Sequence, residues 1–179
     1  MKVLAAVTFV ACLAFAGASS AATYAFNFTD TSNTFTASGL LTTSNTLNAV
    51  NGYDVTAISG TVTGNPAVDF ITGLVPNPNQ PNPTNNGAFI YDNVLFTPGQ
   101  ALDVNGLLFN TSAGVYNLWM NSSRDAELYT YGAPGALDVH GALTITAVPE
   151  PMTWAMILIG FGGLGLALRS RRRLAPATA

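Results

Sequence analysis

Apolar and polar side chains alternate along this chain over short runs. Tyr24, Phe26 and Phe28 share one side of an extended segment, and Phe35, Ala37 and Gly39 share one side of the next. Tyr53, Val55 and Ala57 set a phase that slips by one residue to Ile58, Gly60 and Val62, the mark of a β-bulge. Further runs follow at Phe89-Ile90-Tyr91, Val94-Leu95-Phe96 and Leu107-Leu108-Phe109, then at Tyr116, Leu118 and Met120, at Leu128 to Tyr131, and at Leu143, Ile145 and Ala147. A period of two puts such residues on one face of a pleated strand. Turn formers separate the runs: Asn51-Gly52, Gly64-Asn65-Pro66, Pro98-Gly99, Asn105-Gly106 and Pro134-Gly135. The pattern predicts an all-β ectodomain over residues 23–147, with eight to ten short antiparallel strands packed as a β-sandwich or jelly roll. Residues 76–83 hold four prolines in eight positions, which forbids a central strand and predicts a stiff, exposed loop within that domain.

Both ends depart from this pattern. Lys2, an apolar stretch from Val3 to Ala16 and the small residues Gly17 to Ala22 predict a secretory signal over residues 1–22. Signal peptidase is expected to cut after Ala22, with Ala18 as the alternative. Cys12 lies inside this segment, so the processed chain would have no disulfide, no thiol nucleophile and no thiolate ligand. At the other end, Met152 to Leu168 carries no charge and would span about 25 Å as a helix, slightly short of a ~30 Å hydrocarbon core. Trp154 suits the interfacial belt. Arg169, Arg171, Arg172 and Arg173 (residues 169–173 being the basic cluster) mark the cytoplasmic end, with residues 174–179 beyond. With a signal ahead of it, the middle is expected outside the cytoplasm.

Charge sharpens this division. Charged residues make up only 8% of the chain, and from Thr23 to Val148 eight acids face a single base, Arg124. Nucleic-acid binding is excluded there, because nothing neutralises phosphate. Asn, Thr and Ser make up 41 of those 126 residues while Lys, Glu and Gln are nearly absent, which again favours sheet over helix.

Candidate chemistry is sparse. His140 is the only histidine and lacks any serine, cysteine or second histidine at ligand spacing, so it reads as a surface residue near a strand end. Asp103-Val104-Asn105-Gly106 opens like a calcium loop but lacks the terminal acid; Asp92 and Asp103 are the first ligands to test. Asp125 and Glu127 are the closest carboxylate pair and would share one strand face, although Arg124 beside them suggests an exposed charged loop. Trp119, Tyr129 and Tyr131 are aromatics that can stack on sugars but more commonly form core. Gly160 to Gly165 spells G-x-G-x-x-G with no following acid, so it is not a nucleotide site. Three Thr-x-Thr pairs stand at irregular intervals and form no ice-binding rank. No catalytic residue, cofactor or metal site is expected.

Pro149-Glu150-Pro151 at the head of the apolar stretch, followed by Trp154-Ala155 and the arginine cluster, resembles the PEP-CTERM sorting signal, in its PEPxxWA form, over residues 148–173. The resemblance implies a Gram-negative exosortase substrate. It would be held in the inner membrane with its ectodomain in the periplasm, then delivered to the cell surface or extracellular matrix, with exopolysaccharide as a candidate partner. The prolines would keep the recognition strip extended at the membrane surface. Such tails also carry a label taken from ice-binding proteins, which says nothing of activity. The middle, through residues 53–62, 92–96 and 102–109, looks like the small ectodomains joined to these tails. The expectation is a non-enzymatic surface or matrix protein, the rival being a polysaccharide-acting enzyme or carbohydrate-binding module on the same scaffold.

Overall fold

The computed structural model describes residues 21–64, 68–130 and 137–149, together with Leu158, residues 160–162 and Arg169. Eight strands carry the domain: β1 (Thr23–Asp30), β2 (Thr36–Leu47), β3 (Tyr53–Thr63), β4 (Val68–Leu74), β8 (Leu107–Thr111), β9 (Val115–Ser122), β10 (Asp125–Thr130) and β11 (Leu137–Val148). Each pairs antiparallel with the next, and β11 pairs back onto β1 through Thr23 opposite Val148 and Asp30 opposite Gly141. The ring closes.

The all-β, antiparallel expectation therefore holds, but the sandwich or jelly roll is corrected to a closed up-and-down barrel. Alternation along a strand is identical in the two architectures, because both bury one face. What separates them is the β11–β1 ladder, which removes both sheet edges. The strands are strongly staggered: Gly141 lies opposite Asp30 at the end of β1 and also opposite Ala126 at the start of β10. Such stagger is what closing eight strands requires. Backbones meet closely where it does so. A methyl group on Gly141 would stand 2.1 Å from the Thr29 carbonyl oxygen, and one on Gly39 would stand 1.8 Å from that of Ser59.

Side chains fill the barrel. Phe26, Phe28, Leu41, Val55, Ile58, Val62, Phe109, Leu118 and Leu128 all belong to one buried cluster, which is the inward half of each alternating run. The slipped phase in β3 is a real irregularity, since Thr42 faces Ala57 while Thr43 faces Val55. At the mouth, buried Asp30 accepts hydrogen bonds from the backbone N–H groups of Thr34 and Phe35 and from the Ser32 and Thr34 hydroxyls. Burial alone would raise its pKa; these donors outweigh it and hold the carboxyl at about 2.

Between β4 and β8 lies an insertion holding β5 (Thr84–Asn85), β6 (Ile90–Tyr91) and β7 (Val94–Leu95). Its Leu95 and Leu102 join the barrel core, closing the end where β3 begins. Asn93 pins it there from a left-handed backbone conformation. Its amide donates to the Val75 carbonyl at 2.8 Å and accepts the Leu108 N–H at 2.9 Å. Phe89 and Tyr91 then pack with Leu108 on the barrel's outer surface.

Among the described residues no helix is long and apolar enough to cross a membrane. The predicted span, Met152 to Leu168, falls almost wholly outside those residues; Leu158, residues 160–162 and Arg169 are helical and exposed. The signal segment up to residue 20 also lies outside them, as do Glu150, Pro151, Trp154, Ala155, Arg171, Arg172 and Arg173.

Candidate functional site

The outer face of β9, β10 and β11 carries the chemistry. Outward residues of β10 are Asp125, Glu127 and Tyr129, alternating with the inward Ala126, Leu128 and Thr130. Register then builds two rows across three strands: Trp119, Glu127 and His140 in one, Asn117, Tyr129 and Asp138 in the next. The insertion stands over these rows, with the Phe89 ring edge-on to Tyr129 at 5.8 Å. Between them runs an open groove of about 360 Å³, lined by Phe89, Ile90, Val104, Trp119, Glu127 and Asp138 among others.

Glu127 is only 6% exposed, which corrects the expectation of a charged loop at this point. It sits in mid-strand beneath the groove, and the Asn121 side-chain amide donates to its Oε1. His140 is exposed as expected, but it stands within β11 and has partners. Its Nδ1–H donates to Asp125 Oδ1 at 3.2 Å, and Glu127 Oε1 lies 3.5 Å from the same nitrogen. Burial raises the Glu127 pKa; the charge of His140 opposes that rise, while Asp138 and Asp125 add to it. The hydrogen bond to Asp125 raises the pKa of His140, and the charge of Glu127 adds to the shift. No sequence spacing pointed to this trio, because residues 125 and 127 meet residue 140 only through the β10–β11 ladder.

Asp92 and Asp103 also come together. Asn105 Nδ2 reaches Asp103 Oδ2 at 2.8 Å and Asp92 Oδ2 at 3.4 Å. The D-x-N-G run acts as a turn: Asp103 Oδ1 accepts the N–H groups of Asn105 and Gly106, at 2.8 and 3.1 Å. Asp92 is 3% exposed, and its Oδ1 accepts the Val94 N–H at 3.1 Å. Burial first, then the charge of Asp103, pushes its pKa up to about 7.

The third functional element leaves the barrel directly. Val148, the last residue of β11, lies opposite Thr23, the first of β1, so both routes into and out of the domain meet on neighbouring strands. Ala22 is tied in one residue earlier, its carbonyl accepting the Thr43 N–H at 2.9 Å.

The chain is thus a closed β-barrel whose final strand runs straight into a tail of Pro-Glu-Pro, apolar stretch and arginines. Residues 147–173 match the family model of the PEP-CTERM protein-sorting motif, and the chain carries that motif. The motif implies an exported protein with a C-terminal membrane-anchor signal, processed by an exosortase. No curated protein and no solved structure matches the chain.

Proposed function

We propose that this is a non-enzymatic cell-surface or matrix protein whose barrel works in an exopolysaccharide layer after release from a temporary anchor. The sorting motif at residues 147–173 carries the reading. It follows the last barrel strand without a linker, so cutting near Pro149-Glu150-Pro151 would free the barrel with its ladders whole. Replacing those three residues with alanine should leave insertion intact, since Met152 to Leu168 and the arginines remain. The variant should accumulate in the membrane with a C-terminal epitope attached, while the wild type loses the epitope and reaches the surface or medium. Processing of the variant at the wild-type rate would defeat the proposal.

The groove favours a second reading, a carbohydrate-binding module. Trp119 and Tyr129 offer aromatic faces for sugar rings, and Glu127 and Asp138 offer carboxylates for their hydroxyls. The enzyme form of that reading gains less support, because Asp125 does not line the groove and is turned to His140. Trp119→Ala should abolish retention on the producing cell's polysaccharide if the groove binds sugar, and should change nothing otherwise.

A further inference from the structure

We propose that Asp125, Glu127 and His140 form a binding site for a divalent transition-metal ion of the zinc class, on the outer face of β10 and β11. The candidate ligand atoms all lie within 4.8 Å of one another. His140 Nδ1 stands 3.2 Å from Asp125 Oδ1 and 3.5 Å from Glu127 Oε1, and an ion bound there displaces to solvent the proton that Nδ1 otherwise donates to Asp125. A tetrahedral ion with bonds of ~2.0–2.2 Å to nitrogen and oxygen separates its ligands by about 3.3–3.5 Å, so these contacts already have the length of coordination edges.

The backbone sets this up rather than side-chain chance. Glu127 is opposite His140 in the β10–β11 ladder, which fixes their separation. Asp125, two residues before Glu127 on the same face of β10, reaches along the strand to the same imidazole nitrogen, and the β9–β10 register shifts beside it, between Asp125 and Ala126. That shift leaves Asn121 as the extra residue on β9, opposite the Asp125–Ala126 step. Asn121 donates to Glu127 Oε1, the kind of outer hydrogen bond that orients a ligating carboxylate.

Charge is the second, independent observation. Three acids, Asp125, Glu127 and Asp138, surround one histidine, and Glu127 is buried. Among the described residues His140 is the only base within ion-pair distance of either ligating carboxylate. A buried carboxylate among other acids is costly without a cation, and a divalent ion supplies one. An imidazole donor selects zinc and its first-row neighbours over calcium, which takes oxygen ligands. Asp125 and His140 are about half exposed, at 42% and 53% of their side chains, leaving outer coordination positions to water.

The test uses the full-length protein in detergent, titrated with Zn²⁺ in a calorimeter, with calcium as a parallel probe. One equivalent should bind saturably, and calcium should not compete. His140 is the only histidine in the chain, so its Nδ1 ¹⁵N resonance should move on binding as the sole imidazole signal. His140→Ala and Glu127→Gln should each lower affinity at least about 100-fold, and Asn121→Ala about 10- to 100-fold. Asp138→Asn should preserve stoichiometry. Circular dichroism of each variant separates lost binding from lost fold; the isosteric Glu127→Gln keeps the test open if His140→Ala unfolds. Absence of saturable binding, an unmoved Nδ1 resonance, or equal affinity in folded His140→Ala or Glu127→Gln would overturn the proposal.

Discussion

Asp92→Asn should stabilise this protein at alkaline pH and do so progressively less on acidification. Asp92 is buried, and its pKa rises from 3.8 to about 7 through burial and the neighbouring Asp103. A group whose folded pKa is raised binds its proton more tightly in the native state. Its stabilising contribution is therefore complete below about pH 4 and is lost as pH climbs through about 7. Integrated over that interval, the loss approaches ~4 kcal/mol at ~1.4 kcal/mol per pH unit. The proton is shared with the Asp103 environment, so the recoverable part is smaller, about 1–3 kcal/mol. Asparagine keeps the shape: its Oδ1 can still accept the Val94 N–H and its Nδ2 can donate toward Asp103, with only the long 3.4 Å bond from Asn105 to Asp92 Oδ2 given up. Urea unfolding followed by circular dichroism at several values between about pH 4.5 and 8, in chelator, measures the difference directly. The variant should be more stable than wild type at the alkaline end, with the gap closing toward the acidic end. Parallel stability profiles, or a variant less stable by the same amount at every pH, would refute the reasoning.

Other perturbations follow from the barrel geometry. Gly141→Ala puts a methyl 2.1 Å from the Thr29 carbonyl and should cost about 3 kcal/mol or more by forcing the closing β1–β11 ladder apart, read as a lower urea midpoint. Asn93→Ala strands the Val75 carbonyl and the Leu108 N–H, each worth about 1–3 kcal/mol when buried, and should release the insertion to proteolysis before the barrel unfolds. A polypeptide beginning at Thr23 lacks the Ala22 carbonyl that accepts the buried Thr43 N–H. It should melt below one beginning at Ser19 by the equivalent of about 1 kcal/mol, a difference that scanning calorimetry resolves.

Local signals fix local outcomes, and the inward half of nearly every strand was readable for that reason. Phe26 and Phe28, Ile58 and Val62, and Leu118 and Met120 announce their face by alternation alone, and the one-residue slip after Ala57 announced the bulge in β3. The tail was equally legible, since order and spacing of Pro149-Glu150-Pro151, the apolar stretch and the arginines need no folding to be recognised. One barrel strand escaped: Val68–Leu74 exposes Val68 and Phe70 and contains Gly73, so its pattern reads apolar on the wrong side. Only the tertiary structure decided between sandwich and barrel, because closure depends on β1 meeting β11, more than a hundred residues away, and alternation carries no information about which strands pair. The same physics hid the site. Asp125, Glu127 and His140 become neighbours through cross-strand register, and Glu127 is buried in mid-strand at the groove. Sequence sets which residues are available for chemistry; the β10–β11 ladder is what brings Asp125 and Glu127 within 3.5 Å of the His140 imidazole.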